Sequence, residues 1–137
     1  MNKVMTSEQL RSKYQYMFTG PNIGLDMYEG WTSILEQACA EIDAILGERR
    51  QGFHFSQIKE KYGSARYYFD ADTVDSEALQ RIQALLDHAE SATETACMLC
   101  GRPATIEKYG GWFLCLCDVH ASERQEEIKR RRQPFTR

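Results

Sequence analysis

Near the carboxyl end of the chain, Cys97 and Cys100 are followed after sixteen residues by Cys117 and His120, and two residues separate the members of each pair. This pattern constrains the fold more than any other feature of the 137 residues. A two-residue spacer lets both side chains of a pair aim at one point from a tight turn. Thiolates and an imidazole are the donors that zinc gathers into a tetrahedron. Gly101, directly after Cys100, permits the backbone such a turn needs. The intervening segment has to fold back, and it reads as a hairpin of Thr105–Lys108 and Trp112–Leu116 joined at Tyr109-Gly110-Gly111. The expectation is one structural Zn2+ held by Cys97, Cys100, Cys117 and His120.

Cys115 leaves an alternative open. It lies two residues before Cys117 on the same strand, so both side chains point the same way, and it can replace Cys117 or His120. Cys117 is preferred because it begins a clean Cys-x-x-His turn. A redox Cys-x-x-Cys normally opens a helix after a strand, whereas Met98-Leu99 lead into Gly-Arg-Pro. A catalytic zinc keeps an open position beside three protein ligands. The deaminase pattern of His-x-Glu with Pro-Cys-x-x-Cys is absent, as is His-Glu-x-x-His. No catalytic residue is expected. A zinc-dependent hydrolase stays open only if one ligand is labile.

Five cysteines without a disulfide-like framework fit a reducing compartment. The opening MNKVMTSEQL has no apolar signal-like core, and no apolar run is long enough to span a bilayer, so a cytoplasmic protein is expected. A net charge of −3 and a pI near 5.6 argue against coating duplex DNA. The charge is uneven, however: Lys129 to Arg137 carries five basic residues and no acid.

Helical periodicity marks residues 7–18, with Ser7 as cap and Leu10, Tyr14, Met17 and Phe18 on one stripe. It is clearest over 31–46, where Gly47 is a natural stop and Cys39 falls on the core stripe. It returns over 75–94, capped by Asp75 or Thr73, with His88 as a partly exposed helix histidine. TGPNIG at 19–24 breaks the first pattern. Residues 53–69 read as a hairpin turning at Tyr62-Gly63-Ser64. Ile58 has the wrong parity for Phe55, so either a bulge intervenes or both faces are covered. After His120 the chain reads as a polar helix ending in positive charge.

The first hairpin gathers Lys59, Lys61, Tyr62, Arg66, Tyr67 and Tyr68, a cation–aromatic mixture able to stack on and charge-pair with nucleotides or single strands. A half-buried hairpin with a solvated charged face is the plainer reading of the same residues. With Trp112, these are the candidate ligand- or partner-binding residues.

Several of these segments together resemble a group of small uncharacterised zinc-binding proteins of tailed phages and prophages. The resemblance rests on Gly30-Trp31 opening a helix, QIKEKYGSARYYF, Cys97-x2-Cys100-Gly-x-Pro, and Gly111-Trp112 leading to Cys117-Asp118-Val119-His120. It covers most of residues 25–122. The hairpin in that group runs close to QVKEKFGSLRFYY and the metal region close to CEVCGNPG…GWVYTACDEH. The resemblance implies Cys97, Cys100, Cys117 and His120 as ligands and places a non-ligand at Cys115. Ala104 stands where the group has glycine, so the turn there differs. The group brings no activity with it.

The expected fold class is α+β: helices packed on a small antiparallel hairpin, with a C-terminal zinc-ribbon or knuckle-like unit. Residues 1–95 would form the body and 96–137 the zinc unit with its basic helix, in one compact domain. The expected function is a non-enzymatic binding protein of phage or prophage origin, in the cytoplasm of the bacterial host, acting on a host protein such as a defence or regulatory factor. A nucleotide- or nucleic-acid-sequestering protein using the Lys/Arg/Tyr-rich hairpin is the alternative. The sequence leaves the oligomeric state open.

Overall fold

The computed structural model describes residues 6–19, 25–26, 28–48 and 50–132. Residues 20–24 of the Gly/Pro break and the last five residues of the basic tail lie outside the described set. The fold is α+β, with four α-helices, a three-stranded sheet and a two-stranded hairpin among the described residues. No helix among them is long and apolar enough to cross a membrane.

Helix α1 spans Ser7–Lys13. Its cap is Thr6 rather than Ser7, because Thr6 and Gln9 form a reciprocal capping box. The expected helix over 7–18 breaks at Tyr14 and continues as a 3-10 turn over Gln15–Phe18. The tighter turn still buries Met17 and Phe18, and Phe18 stacks on Phe55 at 5.4 Å.

Helix α2 (Thr32–Leu46) and helix α3 (Ser76–Thr93) pack on each other through the stripes read from the sequence. Asp75 caps α3 by accepting from the Ala78 N–H. Cys39 is fully buried on the α2 stripe, and burial followed by Glu36 and Asp43 pushes its thiol well above the ordinary range. It is a core residue. His88 is exposed on α3.

Strands β2 (His54–Lys61) and β3 (Ser64–Asp70) form the first hairpin. The register slips between Phe55 and Gln57, so of the two explanations for the parity of Ile58 the structure shows the bulge, at Ser56. Both Phe55 and Ile58 are consequently buried. Tyr62 and Gly63 have positive φ, as the two-residue turn requires. Strand β1 (Leu25–Asp26) lies parallel to β2, with Leu25 against Ile58 and Asp26 against Lys59. No pattern in the sequence marks this strand, since two residues are too few for any periodicity.

The outer edge of β3 is covered by α3. The Ala65 N–H donates to Thr93 Oγ1 at 2.9 Å and the Tyr67 N–H to Glu90 Oε2 at 3.0 Å. Two backbone groups that would otherwise invite another strand are thereby satisfied.

Strands β4 (Thr105–Tyr109) and β5 (Trp112–Leu116) pair in register, joined by Gly110 and Gly111, both with positive φ. Helix α4 (Asp118–Arg132) follows directly and has no fully buried residue. It leans on the hairpin, with Ile128 beside Gly110.

Candidate metal centre

Two turns bring the ligands together. In the first, the Gly101 N–H donates to the Cys97 carbonyl oxygen at 2.8 Å and the Cys97 N–H to that of Arg102 at 2.7 Å, with Gly101 at φ 83°. In the second, Cys117 lies between the end of β5 and the start of α4, with the Ala121 N–H donating to the Cys117 carbonyl oxygen at 2.8 Å. The β4–β5 hairpin returns the chain, and the Met98 N–H bonds the Cys115 carbonyl oxygen at 2.9 Å, laying one turn against the other.

The side-chain donors of Cys97, Cys100, Cys117 and His120 all lie within 4.8 Å of one another. His120 Nδ1 is 3.4 Å from the Cys97 sulfur and 3.3 Å from that of Cys117, and the Cys100 and Cys117 sulfurs are 3.7 Å apart. Ion–ligand arms of ~2.3 Å to sulfur and ~2.0 Å to nitrogen give tetrahedral edges of about 3.8 Å between sulfurs and about 3.5 Å between sulfur and nitrogen. The sulfurs are far beyond the ~2.05 Å of a disulfide. The spacing therefore fits a shared ion.

The electrostatics agree. Burial opposes ionisation of Cys97, but the backbone N–H groups of Cys117, Leu99 and Cys100, with the His120 ring, outweigh it and lower the thiol to about 6. The His120 backbone N–H, and then contacts with Cys100 and the His120 ring, lower Cys117. Against the pull of the Arg102 backbone N–H, burial and the neighbouring thiols raise Cys100. Hydrogen bonds to Cys97 and Cys117 raise His120. Four groups compete over protons at one point, which a divalent cation resolves by replacing them.

Cys115 stands outside the cluster. It is buried, its thiol donates to the Glu94 carbonyl oxygen at 3.3 Å, and burial, with the nearby Cys97, pushes it up to about 11. Comparison with protein-family models, curated proteins and solved structures returned no match to this chain. The geometry is therefore the ground for any functional reading.

The centre is tied to the body. The Gly30 N–H donates to the Met98 carbonyl oxygen at 2.9 Å, and the Trp31 indole Nε1–H donates to that of Ala96 at 2.8 Å. A Cβ on Gly30 would lie 2.1 Å from the Cys97 carbonyl oxygen. Periodicity makes Gly30-Trp31 the start of a helix, but the pair is also the seat of the metal turn. No side chain caps the N-terminus of α2, where Trp31 stands at the cap position.

A cleft of about 270 Å³ adjoins the centre, lined on its apolar side by Tyr28, Met98, Leu99, Leu114 and Leu116 and reaching His120. Trp112 lies on the same strand at the same parity as Leu114 and Leu116 and is 68% exposed. Sequence reasoning singled out Trp112 but missed the cleft, which forms only where β5, α4 and the first metal turn meet.

The hairpin candidates divide by parity. Tyr67 is only 4% exposed and packs among core rings, so it cannot contact a partner. Alternation places it with Ala65 and Phe69, facing the helices. Lys59, Lys61, Arg66 and Tyr68 share the other face, with Tyr62 exposed at the turn.

Proposed function

We propose that this chain is a zinc-stabilised, non-enzymatic binding protein of phage or prophage origin, acting on a host protein in the bacterial cytoplasm. The carrying observation is the converged set of three thiols and one imidazole, whose donor atoms all lie within 4.8 Å of one another. Thiolate-rich four-ligand sites are structural zinc sites of the ribbon or knuckle kind, and a saturated ion has no place for water or substrate. The metal would hold the β4–β5 hairpin and α4 in fixed relation to the body. The cleft beside His120 offers an apolar channel, and the exposed Trp112, on the same strand face as the cleft's Leu114 and Leu116, offers an aromatic anchor for a segment of a partner.

Zinc-loaded protein should capture from host lysate a partner that reconstitutes at one-to-one stoichiometry once purified. Trp112→Ala and Leu99→Ser should each weaken that complex about tenfold or more. Absence of any stoichiometric partner across a range of salt concentrations overturns the reading.

A second reading, a nucleotide- or nucleic-acid-binding protein, is favoured by the solvent face of the first hairpin, where Lys59 stands directly opposite Arg66. Like charges so paired repel each other, and an anionic ligand relieves that cost.

A further inference from the structure

The face bearing Lys59 and Arg66 does not end with the first hairpin. Lys61 continues it, and its ammonium lies 5.7 Å from the Tyr62 ring centre. Tyr62 meets Phe113 of the second hairpin edge-to-face at 6.4 Å, and Gly63 abuts Ile106. Phe113 is paired across the ribbon with Lys108. Lys108 in turn borders a groove of about 270 Å³ with Lys129 and Arg132 of α4, and no acid lines that groove. At the far end, the Lys59 ammonium sits 5.9 Å from the Tyr68 ring centre. Each link is a direct contact, a register pair or a shared groove, so one strip runs from β3 across both hairpins to the basic end of α4.

None of the six cations on this strip makes an ion pair among the described residues, although the chain as a whole is acidic. Glu60 is engaged by the Gly63 N–H and Glu107 by the Thr105 hydroxyl. Asp26 aligns with Lys59 in the register of the β1–β2 pair.

We infer that this cation–aromatic strip is the path of a single-stranded nucleic acid. The inference rests on the second reading above and gives it a site. Charge complementarity calls for an anion, and two further points select the class. Four of the six cations are lysines, which protein–protein interfaces avoid and phosphate backbones attract. Tyr68, Tyr62 and Phe113 are large rings left exposed between the cations. Unstacked bases can lie on such rings, whereas a duplex keeps its bases stacked and out of reach.

The test is fluorescence anisotropy with the zinc-loaded full chain and labelled oligothymidylate or oligouridylate of about twelve nucleotides. A duplex of equal length and a polyglutamate competitor serve as comparison arms. Lys61, Lys108 and Lys129 are exposed. Changing all three to serine should lower affinity and reduce the slope of log affinity against log salt by roughly 2. Tyr62→Gly suits its positive φ and removes only the ring, and should weaken binding about fivefold or more. Serine at Arg11, Lys13 and Arg81, off the strip, should change little. If neither single strand binds, the nucleic-acid reading fails and the strip with it. If single strands bind but both triple variants weaken them equally, the reading stands and the path is wrong. Tighter binding of duplex, or displacement of the oligomer only by polyglutamate, overturns the inference in favour of another partner.

Discussion

The indole nitrogen of Trp31 donates a hydrogen bond to the carbonyl oxygen of Ala96 at 2.8 Å, across 65 residues of chain. Trp31 is fully buried at the start of α2, and Ala96 immediately precedes the first metal turn. Order at the metal centre and order in the core are thus mechanically joined, and perturbing one should be felt in the other.

Metal stoichiometry is the first consequence. Purified protein should carry one zinc per chain by elemental analysis. Cys97→Ser, Cys117→Ser and His120→Ala should each lower metal affinity by orders of magnitude, because a structural site that loses a ligand loses much of a binding free energy of roughly 10 kcal/mol or more. Cys115→Ala should retain full metal and cost about 1–2 kcal/mol in urea unfolding. Loss of zinc from the Cys115 variant alone would reverse the ligand assignment.

Gly30→Ala tests the coupling. The added methyl meets the backbone of Cys97 and Met98, with the Met98 carbonyl carbon at 2.6 Å, and backbone cannot step aside as a flexible side chain can. Destabilisation of about 3 kcal/mol or more is expected, together with weakened zinc retention. Gly47→Ala is the matched comparison. Nothing lies within 4 Å of its Cβ, so only the backbone strain of φ 56° with ψ −111° is added, at about 1–3 kcal/mol, and zinc retention should not change. Equal effects at the two glycines would remove the tight seat from the explanation.

Thr93→Val keeps the shape of a buried side chain but removes the oxygen that accepts the Ala65 N–H. An unsatisfied amide at that edge should cost about 1–3 kcal/mol. Hydrogen exchange at Ala65 should accelerate more than at the β2-paired amides, and unchanged protection there would show that another acceptor takes over.

Zinc retention should fall with acid. The folded chain lowers Cys97 to about 6 and lowers Cys117, so in the metal-free fold both thiols ionise more readily than free cysteine. Stabilisation from a lowered group is present above its unfolded value and is lost as pH falls through its folded value. Proton competition for Cys97 therefore sharpens below about pH 6, while His120, raised by the same contacts, begins to compete at higher pH. A chromogenic chelator should draw zinc progressively faster as pH drops from neutral toward 5, and a pH-independent rate would contradict this ligand chemistry.

Much of this architecture was legible locally. The α2 and α3 stripes, the turn at Tyr62-Gly63, and the pairing of Cys97-x-x-Cys100 with Cys117-x-x-His120 are all short-range patterns set by side-chain period and turn chemistry, while the parity of Ile58 left a bulge as one of two alternatives. Thr6 rather than Ser7 as cap, and the break of the first helix at Tyr14, show how loosely such patterns fix boundaries.

Long-range geometry decided the remainder. The sequence preferred Cys117 to Cys115 but left the alternative open, because strand parity allows both on one side; the fold turns the Cys115 thiol to the Glu94 carbonyl, outside the cluster. Alternation separates Tyr67 from Tyr68, but which of the two faces is covered, making Tyr67 core and Tyr68 surface, is decided by packing. The parallel pairing of β1, the seat of Gly30 against Met98, and the contact of Tyr62 with Phe113 each join segments far apart in the chain. Periodicity records which residues share a face of one element. Which elements meet is chosen by the global balance of burial and hydrogen-bond satisfaction, and no local pattern carries that information.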